Sequence, residues 1–387
     1  MRNSLSFLAL MLSVGSTIGQ SNHTNLCIDV PLNSHYVKSD SLHAIMKRYA
    51  EGGLPGVAIA IYSEKDGWWS GTEGYSRLET KTPMHPCNLQ YLQSVSKLYM
   101  AVAILQLHEH GQIELDAPIT KYLPVKYLPL IKGASQITVR MLLNHTSGVP
   151  EFSDDPAFIS FVVEHPLQKL STEFVLHTIA GKPPMFAPGS KHYYCNTNYE
   201  LLAIIADAIT GDHAAFIQKN IFDRLALKNT FYRNNPRYLH NPLLVDSYWD
   251  VLNTGRPANV TNMQKANVSS YVGDDGIVCT PLDATKFLKG LMEGRLLSPA
   301  SLSEMQHWVI DEHGSPVYGL GLAHYQAGDI EAFGHSGGGI GAGCILMFIP
   351  AAKTYIFFAT NIGTLFEGTL ATKANQLKDE LLMTILQ

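Results

Sequence analysis

Gln93-Ser94-Val95-Ser96-Lys97, running into the apolar stretch 98–107, is the part of this sequence from which the rest is read. As a helix it puts Ser94 in the first turn and Lys97 one turn later. Side chains three apart share a helix face, so the ammonium reaches the hydroxyl. The helix N-terminus adds partial positive charge beside Ser94, which suits an anion developing there. Val95, Leu98, Ala101, Val102, Ile104, Leu105 and Leu107 make the helix apolar nearly all round, the mark of a buried element. A buried helix is a rigid mount for a nucleophile, and burial is expected to lower the pKa of Lys97. Yet S-x-x-K arises by chance about once or twice in a chain this long. The motif needs companions.

Composition limits what those companions can be. The chain has 387 residues, 46% of them hydrophobic and 16% charged, which excludes a disordered or fibrous protein and allows one large domain or two lobes. A net charge of −5 gives no reason to expect a nucleic-acid partner or an anionic membrane. Residues 1–19 carry Arg2, an apolar core at 5–14 and then small residues, the outline of a secretory signal cleaved near Gly19. No other run is long enough to span a bilayer, so the exported mature chain, periplasmic or secreted, is expected to insert in no membrane. Five cysteines, Cys27, Cys87, Cys195, Cys279 and Cys344, leave at least one thiol unpaired within the monomer, and their connectivity is not readable. None forms a C-x-x-C pair, and His108 and His110 lack an H-E-x-x-H or a carboxylate cluster. No metal and no cofactor is therefore expected. N-x-S/T sequons stand at Asn22, Asn144, Asn259 and Asn267, relevant only in a glycosylating host.

Pattern along the chain divides it in three. An amphipathic helix is read at 40–51, then strands at 56–62 and 68–75 joined by Asp66-Gly67, a hairpin signal. From 137 to 283 helices dominate, at 139–143, 173–179, 199–210 and 213–225. Strand-like alternation returns at 319–325, 330–333, 344–348 and 355–360. A last helix carries Leu370, Ala374, Leu377, Leu381 and Ile385 on one stripe, read as core packing. The expected fold is α+β: an antiparallel sheet flanked by helices, with residues 28–130 and 281–387 forming one lobe and a mainly helical lobe, 131–280, inserted between them.

Two further stretches supply companions for Ser94. Pro188-Gly189 leads to Tyr194-Cys195-Asn196 just before a helix. A tyrosine near cations can serve as a base, and an asparagine amide both donates and accepts. Y-x-N recurs at 232–234, so the tripeptide alone is weak. The second stretch is Gly334-His335-Ser336-Gly337-Gly338-Gly339. It also matches G-x-S-x-G, the nucleophile elbow with Ser336 as nucleophile, but that arrangement needs a downstream histidine and a following helix. Neither is present.

Ser94-x-x-Lys97, Tyr194-x-Asn196 and His335-Ser336-Gly337, in that order, resemble the serine penicillin-recognising family of class C β-lactamases, D-alanyl-D-alanine carboxypeptidases, D-aminopeptidases and related esterases. Leu54-Pro55-Gly56, Leu115-Asp116-Ala117-Pro118, Leu142-Leu143-Asn144-His145-Thr146-Ser147-Gly148, Tyr318-Gly319-Leu320-Gly321-Leu322 and Phe348-Ile349-Pro350 are similar to further landmarks of it, so the resemblance covers most of the chain. It implies a β-lactamase/transpeptidase-like fold and an acyl-enzyme at Ser94. It also implies that Lys97 and Tyr194 share the proton transfers, that Asn196 holds a substrate amide, and that the Ser94 and Gly338 N–H groups form an oxyanion hole. His335, with Ser336 and Gly337, would bind the substrate and its carboxylate end. Three positions depart from the family pattern. Gln93 and Cys195 stand where small residues are usual. His-Ser-Gly replaces the Lys-Thr-Gly of class C β-lactamases and is nearer to the His-Thr-Gly of one carboxypeptidase branch. A histidine there would titrate near neutrality and make binding pH-dependent. The leading expectation is a D-alanyl-D-alanine carboxypeptidase-like serine hydrolase whose partner is a small peptide or β-lactam substrate. A β-lactamase, an esterase or amidase, and a catalytically silent receptor are the alternatives, and the oligomeric state is not readable.

Overall fold

The structure, a computed structural model, describes residues 27–387, so the signal-peptide reading and the Asn22 sequon lie outside the described residues. Nine strands form one antiparallel sheet. They are β1 (Gly56–Ser63), β2 (Gly67–Arg77), β3 (Thr82–Pro83), β4 (Val309–Ile310), β5 (Pro316–Tyr318), β6 (Ala323–Ala327), β7 (Ile330–Gly338), β8 (Gly343–Ile349) and β9 (Thr354–Thr360). Their spatial order is β3-β2-β1-β9-β8-β7-β6-β5-β4, so the first and last parts of the chain interlock at the β1–β9 pair. The Asp66-Gly67 turn forms as its residues dictate: Gly67 takes φ +75°, and the Asp66 N–H donates to Ser63 Oγ at 2.9 Å.

Helices cover both faces. α1 (Ser39–Glu51) and α5 (Thr369–Leu386) lie on one, while α2 (Ser96–Glu109), α3 (Asn196–Thr210) and α4 (Pro281–Met292) belong to the layer on the other. Strand alternation sorts the side chains between them. Ile345, Met347, Ile356 and Phe358 join Leu42, Met46 and the α5 stripe of Leu370, Ala374, Leu377, Leu381 and Ile385. Leu346, Phe357 and Ala359 join the apolar residues of α2 and α3. Every residue of α2 from Ser96 to Leu107 is buried. At roughly 1.5–3 kcal/mol for each large apolar side chain, this burial fixes the helix and the turn before it.

Three elements differ from the sequence expectation, each for a local reason. The strand read at 319–325 begins only at Ala323, and 319–322 is the turn between β5 and β6, because Gly321 takes φ +79° and Gly319 lies so close to Met305 that a Cβ would sit 2.1 Å from its carbonyl oxygen. Strand β7 runs on through glycines that look like terminators. Gly337 is there because the 92–93 segment crosses it, a Cβ falling 2.4 Å from Leu92 O. The helix read at 213–225 is a short α-helix (His213–Ile217) continued by a π turn, in which Asn220 donates to Phe216 O at 2.9 Å.

Cys27 and Cys87 form a disulfide across 60 residues, a loop whose closure contributes on the order of 4 kcal/mol. Cys195, Cys279 and Cys344 are buried thiols. Among the described residues, no helix is long and apolar enough to cross a membrane.

Candidate active site

The turn Gln93–Val95 is a 3₁₀ turn that feeds α2, so Ser94 sits at the mouth of the helix and Lys97 in its first turn. Gln93 holds this turn with φ +48°, strain that a buried position next to a reactive group can sustain. Lys97 is fully buried. Its Nζ donates to Ser94 Oγ at 2.9 Å, to Asn196 Oδ1 at 2.9 Å and to the Asp274 carbonyl oxygen at 3.1 Å. The Asp274 carboxylate is 4.0 Å away, and Nζ lies 5.0 Å from the centroid of the Tyr194 ring. One ammonium thus joins two of the stretches singled out in the sequence to a loop that was not, at Asp274.

Electrostatics at this ammonium run against the sequence expectation that burial would lower its pKa. Burial does favour the neutral amine, but Tyr194 and the carboxylates of Asp274 and Asp275 outweigh it, and the Lys97 pKa is raised. Desolvation also raises the Tyr194 hydroxyl, although the residue as a whole is partly exposed, and Lys97 and Ser94 oppose that by charge and hydrogen bonding. Burial pushes Asp274 up to about 6 against the pull of Lys97, and burial and Asp274 together push Asp275 up to about 7.

Tyr194 is 37% exposed, with one side on the cleft and the other on an aromatic wall. The His145 ring packs tilted against it at 4.4 Å and edge-on to Tyr318 at 4.7 Å, centroid to centroid. His145 Nδ1 accepts from Cys195 N at 3.2 Å and from Asn198 Nδ2 at 3.1 Å, so its proton sits on Nε2, facing rings. Burial and then Lys97 keep this imidazole neutral. The Cys195 thiol points away from Ser94 and donates to Val149 O at 3.4 Å.

His335 lies 5.9 Å from the Tyr194 ring, beside it as the sequence motif implies, but in a different state from the one expected. It is buried, its Nδ1 is 2.6 Å from Ser336 O and its Nε2 is 2.8 Å from the Tyr318 hydroxyl. The carbonyl can only accept, so Nδ1 carries the proton and Nε2 accepts from Tyr318. Burial and the nearby Lys97 ammonium drive its pKa down to about 3. The expected titration near neutrality is thereby corrected, and both ring nitrogens are committed to protein partners rather than turned out to a carboxylate. Ser336 does not share that side. It pairs with Ile345, and strand alternation sends its side chain to the α1/α5 face, while His335 and Gly337 face Ser94. Pairing of β7 with β6 stops at Gly334, so residues 335–338 present a free edge toward the cleft. Gly337 and Gly339 lie against Leu92 and Gln93, at the start of the Ser94 turn, and Gly338 between them turns its Cα toward Thr364 and Leu365.

Four contributors went unassigned in the sequence. Asp274 and Asp275 sit in a loop bracketed by Gly273 and Gly276, a pairing visible in the sequence but without periodic context. Tyr318 and His145 lay inside quoted landmarks that carried no role. Among the described residues, no three His, Cys, Asp or Glu side chains converge as a metal site requires.

Comparison with known proteins places the chain in a family. A family model described as beta-lactamase matches residues 42–379. A penicillin-binding protein of Bacillus subtilis is 26% identical over 299 residues, 74% of this chain and 64% of its own. A putative D-alanyl-D-alanine carboxypeptidase of Salmonella paratyphi A is 27% identical over 209 residues, 50% of this chain and 48% of its own. The chain thus matches less than two thirds of the length of either curated relative. The D-amino acid amidase of Ochrobactrum anthropi has the same fold, with a TM-score of 0.77 at 24% identity over 90% of this chain and 98% of that one.

Proposed function

This chain belongs to the beta-lactamase family of serine hydrolases, and from that premise we propose that it forms an acyl-enzyme at Ser94 and acts, like a D-alanyl-D-alanine carboxypeptidase, on D-alanine-terminated peptides. The observation that carries the proposal is the Lys97 ammonium, held 2.9 Å from both Ser94 Oγ and Asn196 Oδ1 beneath the Tyr194 ring.

In this reading Ser94 Oγ attacks the scissile carbonyl carbon and its proton passes to an ionised Tyr194, whose charge Lys97 stabilises. The negative oxygen rests on the N–H groups of Ser94 and Gly338. The C–N bond breaks, the leaving nitrogen takes the proton from Tyr194, and D-alanine departs. Water then repeats the sequence: it loses a proton to Tyr194, adds to the acyl carbon, and Ser94 leaves with the proton restored. Asn196 holds the acyl amide and the 335–338 edge aligns the substrate backbone. Export after cleavage near Gly19 belongs to the same reading, supported by the apolar core at 5–14 and by a disulfide, a bond rare in reducing compartments.

A second reading, amide or ester hydrolysis without a carboxylate on the leaving group, is favoured by His335. A buried neutral imidazole with both nitrogens occupied offers no charge to a carboxylate. Turnover of a D-alanyl-D-alanine peptide against its C-terminal carboxamide separates the two. Faster cleavage of the free acid by about tenfold or more supports the carboxypeptidase reading, and equal rates support the second. No turnover of either by wild type, with no acyl adduct formed, removes both.

A further inference from the structure

We propose that Glu151 is the positioning residue that fixes which way the Asn196 amide points; the inference rests on Asn196 as the contact to the substrate's acyl amide. An asparagine side chain has two ends of nearly equal shape, so the donor end must be aimed by its neighbours. Here the neighbours are opposite in kind. Lys97 can only donate, and it takes Asn196 Oδ1 at 2.9 Å. Glu151, an acceptor on both oxygens, lies with Oε1 3.4 Å from Asn196 Nδ2. Between a cation and a carboxylate the amide has a single favourable orientation. Its second N–H remains for the substrate.

Glu151 is itself held hard. It is 6% exposed, and its carboxylate collects donors from two segments. Oε2 accepts from the backbone N–H of Asn196 and, at 3.3 Å, from that of Thr197. Oε1 accepts from Ser153 N at 3.0 Å and Ser153 Oγ at 2.7 Å. The first two bonds matter for α3, whose N-cap residue, Cys195, offers no side-chain acceptor. Glu151, 45 positions earlier, caps that helix, and its charge suits the positive end of the helix dipole. The same carboxylate therefore anchors the start of α3 and aims the first side chain on it.

A glutamine at 151 keeps the size but brings an NH₂ into a nest of donors, where only the Ser153 hydroxyl can also accept. It must turn that NH₂ either toward the α3 N–H groups, which uncaps the helix that carries Asn196, or toward Asn196 Nδ2, which leaves Lys97 alone to orient the amide. The readout is selectivity, not activity alone. Benzylpenicillin carries an acyl amide for Asn196 to hold, and p-nitrophenyl acetate carries none. The acylation rate constants for these two are measured on the full chain for wild type, Glu151→Gln, Glu151→Asp and Asn196→Ala, each beside its thermal midpoint. Glu151→Gln is expected to lower the penicillin-to-ester ratio about tenfold to a hundredfold, the cost of a misplaced contact. Glu151→Asp, which keeps the acceptor, is expected to restore much of it. Glu151→Gln in the Asn196→Ala background is expected to lower the ratio no further. An unchanged ratio in Glu151→Gln, or an equal fall in both rates that follows the thermal midpoint, overturns the proposal. An unchanged ratio in Asn196→Ala removes the reading of Asn196 itself, and the proposal with it.

Discussion

Two nitrogen bases are buried in one cleft, Lys97 on its floor and His335 on its wall, and the protein keeps the first charged and the second neutral. Burial acts on both in the same direction, against the cation. What differs is the company. Lys97 faces Tyr194, the Asp274 carboxylate and carbonyl, and an amide oxygen, all of which reward a positive charge. His335 faces a tyrosine hydroxyl, a backbone carbonyl and the Lys97 ammonium, which penalises one. Depth alone does not set a protonation state; Tyr194 and the acidic loop 273–276 do it for Lys97, and no such partner does it for His335.

Breaking the floor should have the largest effect. Lys97→Met removes the cation that steadies both Ser94 and an ionised Tyr194, and acylation is expected to fall about a thousandfold, as for loss of a general acid–base partner. A fall of less than tenfold, measured as kcat/KM on any substrate turned over, would break the comparison at its first term.

The next effect is on stability. Asp275 has a folded pKa near 7, above its ordinary 3.8, so between those values the folded chain keeps a proton that the unfolded chain has lost. The contribution of this one group is therefore full below pH 4 and drains away as pH rises toward 7, by at most about 4 kcal/mol for a shift of this size. Asp275→Asn retains an acceptor for the Gly276 N–H, which lies 2.6 Å from the present carboxylate. The variant is expected to lose less thermal midpoint than wild type between pH 4 and pH 8, while Asp274, near 6, keeps part of the slope. Parallel curves would show that Asp275 is not the titrating group.

The smallest effect belongs to the wall. With its pKa near 3, His335 stays neutral across the working range, and His335→Gln is expected to change kcat/KM by no more than about threefold, with the same pH dependence from 5 to 9. An inflection near 6.5 in wild type that vanishes in His335→Gln would restore the charge-dependent role expected from sequence. The alkaline side should differ: because Tyr194 is raised, the rate is expected to climb as it ionises.

The contrast between floor and wall also separates what the sequence disclosed from what it withheld. The apolar run after Ser94 and the α5 stripe were legible because burial repeats with the helical period, and the β1–β2 hairpin because Asp66-Gly67 has one good use. The grouping of Ser94, Lys97, Tyr194 and Asn196 was legible through ordered motifs. The state of His335 was not, since it depends on Tyr318, 17 positions earlier, and on a carbonyl that any residue could offer. Glu151 left no trace either: its partners on α3 lie 45 and 46 positions away, and a lone glutamate after Pro150 has no pattern to mark it. Nor did the glycines of β7 announce a strand, because the reason for them is the crossing of residues 92–93.

Acylation of Ser94 is the claim on which the floor and the wall both depend. Its direct measurement is the mass of the protein, and then of its peptides, after brief reaction with benzylpenicillin. One adduct of the intact penicillin mass on the peptide containing Ser94, absent in Ser94→Ala, is the predicted result. An adduct on the peptide containing Ser336, or one that persists undiminished in Ser94→Ala, would contradict the account.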